Sequence, residues 1–199
     1  MFVRRAVLLM TSIALLAGTS ARAAEDPQAL SPEYFRTHTA PADASFFISN
    51  TPKTERGDRM VVRGLVTDGK APVANASVYI FHADNDGRYD PARAIPGEGW
   101  ETPRLHGYMR TDSVGRYVYG NVYPKPYPGG TMPARVRFVV TAEGFKNRAI
   151  EVWFEGDPMI TAELKARQAQ QPDAIYIRPA KRDTNRVWQI TNDIVLERN

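Results

Sequence analysis

From Met60 onward the apolar residues of this chain come in short runs punctuated by glycine, proline and aspartate. That punctuation suits strands and turns and leaves no stretch long enough for a helical bundle. Arg59 to Thr67 predicts a strand, Asp68-Gly69-Lys70 a tight turn, and Ala76 to His82 a second strand, in which Val78, Ile80 and His82 alternate with Ser77, Tyr79 and Phe81. Further strands are expected at Gly107 to Thr111, Arg116 to Tyr119, Ala134 to Thr141 and Arg148 to Phe154, with Trp188 to Leu196 closing the sheet. Asp157-Pro158 offers an N-cap and a first-turn proline for one short helix over Ile160 to Ala169. The expected fold is all-β, an antiparallel β-sandwich with long loops. A chain of 199 residues without cysteine must hold such a sandwich by packing alone, and at that length it can.

The N-terminus reads differently. Arg4-Arg5, the apolar run Ala6 to Ala17 and the small residues Ala21 and Ala23 predict a signal peptide over 1–23, too short to serve as a permanent membrane anchor. The expected location is periplasmic or secreted, with the export route left open by the arginine pair. Residues 24–58 are polar and aperiodic and are expected to form an arm, with Phe46, Phe47 and Ile48 docking on the body or on a partner, and 59–199 to form the sandwich domain. Without the leader the chain carries 23 basic against 22 acidic residues, which gives no basis for nucleic acid as a partner. With no thiols and three histidines, any metal must be held by oxygen and imidazole donors.

Four stretches carry a resemblance: VRGLVTDGKAPVANASVYIFHADNDGRYD (62–90), GYMRTDSVGRYVYGNVYPKPYPGG (107–130), PARVRFVV (133–140) and VWFEGDP (152–158), with NDIVL (192–196) as a closing strand. The first alone is shared with carboxypeptidase-regulatory and transthyretin-like sandwiches. In this order the set resembles the intradiol ring-cleavage dioxygenases, non-haem ferric enzymes that open catechol or protocatechuate rings. The resemblance implies a prealbumin-like sandwich, an aromatic or catecholic small molecule as ligand, and Fe(3+) held by two tyrosinates and two imidazoles. Oligomers of identical or related chains fit it as well.

Tyr89, in Gly87-Arg88-Tyr89, matches the first tyrosinate of that family and Tyr127, in Pro126-Tyr127-Pro128, the second. The paired imidazoles of the family lie in a His-x-His on one strand; here those places hold Arg135 and Arg137. A guanidinium has five donors and no lone pair to give, so neither arginine can ligate iron. The family's arginine three residues before the first imidazole corresponds to Met132, and its glutamine on the next strand to Glu151. If the two strands are neighbours, Glu151 can pair with Arg135 or Arg137, and a salt bridge then stands where the metal would be. Two other readings of the arginines stay open: a solvated strand face, with Val136, Phe138 and Val140 turned inward, or the lining of a pocket for an anion or aromatic acid. His82 and His106 are the imidazoles left that could rebuild an iron set with Tyr89 and Tyr127.

Three functions follow as expectations. One is an exported ferric dioxygenase acting on catecholic compounds. Another is a member of the same family with a degenerate, metal-free site that binds an aromatic or anionic ligand, or assembles with a subunit that holds the iron. The last is a transthyretin-like binding or structural module. The long loop from Asp84 to Pro103 is expected to roof the site.

Overall fold

The computed structural model describes residues 30–89 and 103–199. The expected signal peptide, the first residues of the arm and most of the loop after Asp84 lie outside them. The described residues form two stacked sheets with two short helices, α1 (Pro32–Thr37) and α2 (Ala162–Gln170). The strands are β1 (Phe47–Ser49), β2 (Arg59–Thr67), β3 (Ser77–His82), β4 (Leu105–Arg110), β5 (Arg116–Val122), β6 (Arg135–Thr141), β7 (Arg148–Phe154), β8 (Ile175–Arg178), β9 (Ala180–Arg182), β10 (Trp188–Thr191) and β11 (Ile194–Val195).

The first sheet has the order β1-β5-β2-β10-β9, with β11 also on β2, and the second β4-β3-β6-β7-β8. Period-two alternation sends Met60, Val62 and Val66 of β2 and Tyr117 and Tyr119 of β5 inward. They meet Val78, Ile80, Val136, Phe138, Val140, Ile150 and Val152 of the second sheet, all fully buried. This is the sandwich expected, and β2 and β7 have the expected bounds.

Several local expectations are corrected. Trp188 to Leu196 is not one strand: Asn192 and Asp193 break it, because the Asn192 amide donates to Arg63 O and the Asp193 carboxylate accepts from the Leu65 amide. Its two halves run parallel to β2, as β8 runs parallel to β7 and β1 to β5. The helix starts later than expected, capped by Thr161, since the carboxylate of Asp157 is spent on the Met159 and Ala134 amides. The arm is not wholly irregular. Ser31 caps α1 with Pro32 in its first turn, and β1 adds to β5. Of the expected docking patch, Ile48 packs on the core, Phe46 lies under Arg116 and Phe47 remains exposed.

The second sheet is unusual for a sandwich in being buried on both faces. Every residue of β3 is buried, as are the five central residues of β6. Its outer face is covered by Leu30, Tyr34 and Phe35 of the arm at one end and by Ile160 and Leu164, at and near α2, at the other. Among the described residues no helix is long and apolar enough to cross a membrane.

Candidate functional site

The outer face of the second sheet gathers most of the candidate residues. Strand register lines up His106 of β4 with Phe81 of β3, Phe81 with Arg137 of β6, Arg137 with Glu151 of β7, and Glu151 with Ile175 of β8. Residues directly opposite one another share a face, so this row runs across all five strands. Arg135 and Trp153 form the adjoining pair. Val136, Phe138, Ile150 and Val152 alternate with them and point into the sandwich.

Arg137 and Glu151 are each 1% exposed, and Arg137 Nε donates to Glu151 Oε1 over 2.8 Å. The second carboxylate oxygen accepts from Trp153 Nε1 at 2.9 Å. Arg135 Nε lies 3.5 Å from Oε1, and Arg135 also donates to the Pro133 carbonyl. Burial pushes the Glu151 carboxyl up, but Arg137, Arg135 and the Trp153 hydrogen bond outweigh it and hold the group below its usual value. Burial likewise works against charge on Arg137, and the neighbouring Tyr89, Glu151 and Tyr34 more than restore it. Both partners are therefore ionised, two cations sharing one carboxylate.

The expected salt bridge is present, with Arg137 as its inner partner. The reading of the arginines as a solvated face is overturned for Arg137, because the arm and the Tyr89 segment cover what a bare sandwich would leave wet. Arg135, 13% exposed, stands at the edge of the cluster.

Tyr89 faces the same cluster, with the Arg137 guanidinium 5.5 Å from its ring centre and the edge of Phe81 beside it at 6.3 Å. The turn leading to it is built by Asp84, whose carboxylate accepts from the Asp86 and Arg88 amides. Gly87 adopts a φ of 78°, and a Cβ there would lie 1.9 Å from Pro126 O. That close approach, together with the bond from the Lys125 amide to Asp84 O, brings the segment carrying Tyr127 against the turn that carries Tyr89. Tyr127 itself is half-buried. Met132, at the family's arginine place, packs with Trp153, Ala174 and Ile175.

The histidines do not rebuild an iron set. His82 is in register with Leu105 and Val136 and so faces the interior, opposite to Tyr89 and Arg137. Its Nδ1 engages Ala83 O at 2.7 Å and its Nε2 the Tyr119 hydroxyl at 3.2 Å; full burial pushes it down to about 4 and keeps it neutral. His106 is on the outer face, with Nδ1 engaged by Pro103 O, and lies against Tyr79 and Tyr108. One ion cannot take both rings through the sheet.

Among the described residues the donors therefore do not fit a ferric centre of the kind the resemblance implies. The resemblance puts two guanidiniums at its imidazole places, and both oxygens of the carboxylate between them are already in hydrogen bonds. The geometry offers something else: a buried ion-pair cluster with one cation in excess, edged by the rings of Tyr89 and Phe81. Trp153 was absent from the residues picked out in the sequence, although its place two residues after Glu151 puts it on the same face. Tyr34 was absent too, and no local pattern in the arm announces it.

Comparison with known proteins agrees with this architecture. The family model described as Dioxygenase matches residues 30–198. Hydroxyquinol 1,2-dioxygenase of Corynebacterium glutamicum is 29% identical over 141 residues, which are 58% of this chain and 45% of that protein. The protocatechuate 3,4-dioxygenase beta chain of Burkholderia cepacia is 32% identical over 113 residues, 52% of this chain and 48% of its own. This chain thus spans about half the length of these curated relatives. The crystal structure of catechol 1,2-dioxygenase from Pseudomonas arvilla C-1 superposes with a TM-score of 0.61 at 22% identity, over 78% of this chain and 57% of that one. Because the match runs from the arm through both sheets to the last strand, the assignment follows directly: this chain belongs to the intradiol ring-cleavage dioxygenase family.

Proposed function

We propose that this protein is an exported member of the family that binds a catecholic or other aromatic compound at the outer face of its second sheet and has given up the ferric site. The observation behind this reading is the buried Arg137–Glu151 pair, which puts a cation where the family needs an electron-pair donor. The remaining features suit a ligand of mixed character. The rings of Phe81 and Tyr89 supply an apolar wall, and Arg135, beside a carboxylate already shared with Arg137 and Trp153, supplies charge for a phenolate or carboxylate. The names of the relatives, hydroxyquinol 1,2-dioxygenase among them, favour single-ring hydroxylated compounds.

The test uses purified mature protein, melted with and without catechol, protocatechuate and benzoate, alongside an oxygen electrode. Binding to the native state alone raises stability by about 2.7 kcal/mol at a ligand concentration 100 times Kd, or roughly 5–10 °C in Tm for a domain of this size. The reading predicts a saturable rise for at least one compound with no oxygen uptake. Oxygen uptake matched by ring opening would restore the ferric dioxygenase. A flat melting temperature with all three would leave the transthyretin-like structural module.

A further inference from the structure

The outer face of the second sheet is closed by this chain's own N-terminal arm. Tyr79, Phe81 and Val139 are 2%, 0% and 0% exposed, although among the described residues no further sheet stacks on them. Leu30, Tyr34 and Phe35, together with Tyr89, cover them. The cover is held unevenly. At Ala40 and Pro41 the arm is pinned: the Ala40 amide donates to Ser77 Oγ, and Arg110 donates to the carbonyls of both residues.

Upstream of that pin, α1 is a six-residue helix with no fully buried side chain. Its cap and its Arg36–Glu33 and Thr37 bonds lie within the helix itself. Aromatic stacking presses it to the body: Tyr34 on His38 at 3.9 Å and His38 on Tyr79 at 4.8 Å. A helix of this length has little stability of its own, so its contacts with the body, those of Tyr34 included, decide whether it stays down. Tyr34 and Tyr89 both pack on the cluster of Tyr79 and Phe81, and Phe81 is the register partner of Arg137 on β6.

We propose that α1 is a displaceable plug: Tyr34 fills the aromatic half of the site beside Arg137 and Tyr89, and a ligand enters when the helix swings out about His38 and Thr39 while Ala40 and Pro41 stay pinned. Tyr34 is itself a phenol, so the ligand that takes its place beside Phe81 and Tyr89 is a single-ring phenol or benzoate. The part concerning ligand entry rests on the binding reading above; the plug itself does not.

Two probes separate the two ideas. The first is p-cresol, the detached side chain of tyrosine, titrated by calorimetry into the wild type, Tyr34→Ala and Tyr34→Phe. The variants are first shown by urea unfolding to be folded. The plug predicts that Tyr34→Ala binds p-cresol at least tenfold more tightly than the wild type, while Tyr34→Phe, which keeps the ring, stays as weak as the wild type. Equal affinity in all three proteins, or no binding to Tyr34→Ala, overturns it. The second probe is 4-hydroxybenzoate, followed by native-state hydrogen exchange of the wild type. Faster exchange of the α1 amides at saturation, with β6 and β7 unchanged or slower, supports displacement. Saturable binding that slows exchange in α1 overturns displacement and leaves the binding function standing. Failure of 4-hydroxybenzoate, catechol, protocatechuate and benzoate to bind either wild type or Tyr34→Ala removes the binding function, and the p-cresol result alone then decides the plug.

Discussion

Replacing Arg137 with methionine keeps most of the side-chain volume and removes the charge that faces Glu151. Both groups are 1% exposed, so neither can turn to water without opening the arm or the sheet. Breaking a buried ion pair from one side costs about 3–5 kcal/mol, because the partner stays behind as an uncompensated charge. Here the two sides are unequal. Arg137→Met leaves Glu151 with Arg135 already 3.5 Å from its Oε1 and with the Trp153 bond intact, so the loss belongs at the lower end, about 3 kcal/mol. Glu151→Leu strands two guanidiniums and the Trp153 N–H at once, and belongs at or above the upper end, about 5 kcal/mol. The double variant Arg137→Met/Glu151→Leu should cost less than the sum of the singles by about 2 kcal/mol or more, because the two fully buried charges go together and only Arg135, at the edge of the cluster, is left without the carboxylate. Urea unfolding at pH 7, followed by tryptophan fluorescence, measures all four proteins. Additive costs, or a loss under about 1 kcal/mol for Glu151→Leu, would refute the view that this pair is a coupled, dry unit.

Other expectations follow from the same structure. The folded His82 titrates near 4 against about 6.5 when unfolded, so its contribution is fully present above pH 6.5 and is lost as pH falls toward 4. Between pH 7.5 and pH 5 that group alone removes about 2 kcal/mol, and a His82→Gln variant should flatten this part of the urea-derived stability profile. Glu151 shifts in the same direction, its folded carboxyl held below the ordinary value by Arg137 and Arg135, so its contribution also persists above about 4.5 and disappears only as pH falls through the lower folded value. Glu151→Gln should therefore lower stability at pH 7 and narrow the gap from wild type at strongly acidic pH. Gly87→Ala places a Cβ 1.9 Å from Pro126 O at a φ of 78°, and should cost more than about 1 kcal/mol while increasing exchange of the Lys125 amide that ties the two tyrosine segments together. The triple variant Arg135→His/Arg137→His/Glu151→Gln supplies the residue types that the resemblance implies at these places, and should take up ferric iron with a visible tyrosinate charge-transfer band; a colourless protein would show that Tyr89 and Tyr127 do not converge.

Most strand positions within the body were legible because period-two alternation and turn residues are local signals. β7 could be bounded at both ends from Arg148 to Phe154, and the neighbourhood of β6 and β7 was enough to anticipate the Glu151 pair. What escaped reading depends on distant chain. β1 and β9 are three residues each and exist only through the partners they pair with. The parallel placement of β10 on β2 joins segments some 128 positions apart, as Trp188 opposite Met60 shows. α1 did carry a signal in Ser31-Pro32-Glu33, but its six residues are too few for periodicity to register. The burial of Arg137 could not be foreseen, since a strand with arginines at alternate positions reads as half-solvated until Tyr34 and Phe35 are known to lie over it. For the same reason Tyr34 had no place in the site before the arm was seen.

The central claim is that guanidinium has replaced imidazole at this site, and metal content tests it most directly. Protein expressed in iron-replete medium, purified without chelator and assayed by elemental analysis together with its visible spectrum, should hold far less than one iron per chain and stay colourless when ferric salt is added. One tightly held Fe(III) per chain, with a tyrosinate charge-transfer band lost in Tyr89→Phe, would contradict the account.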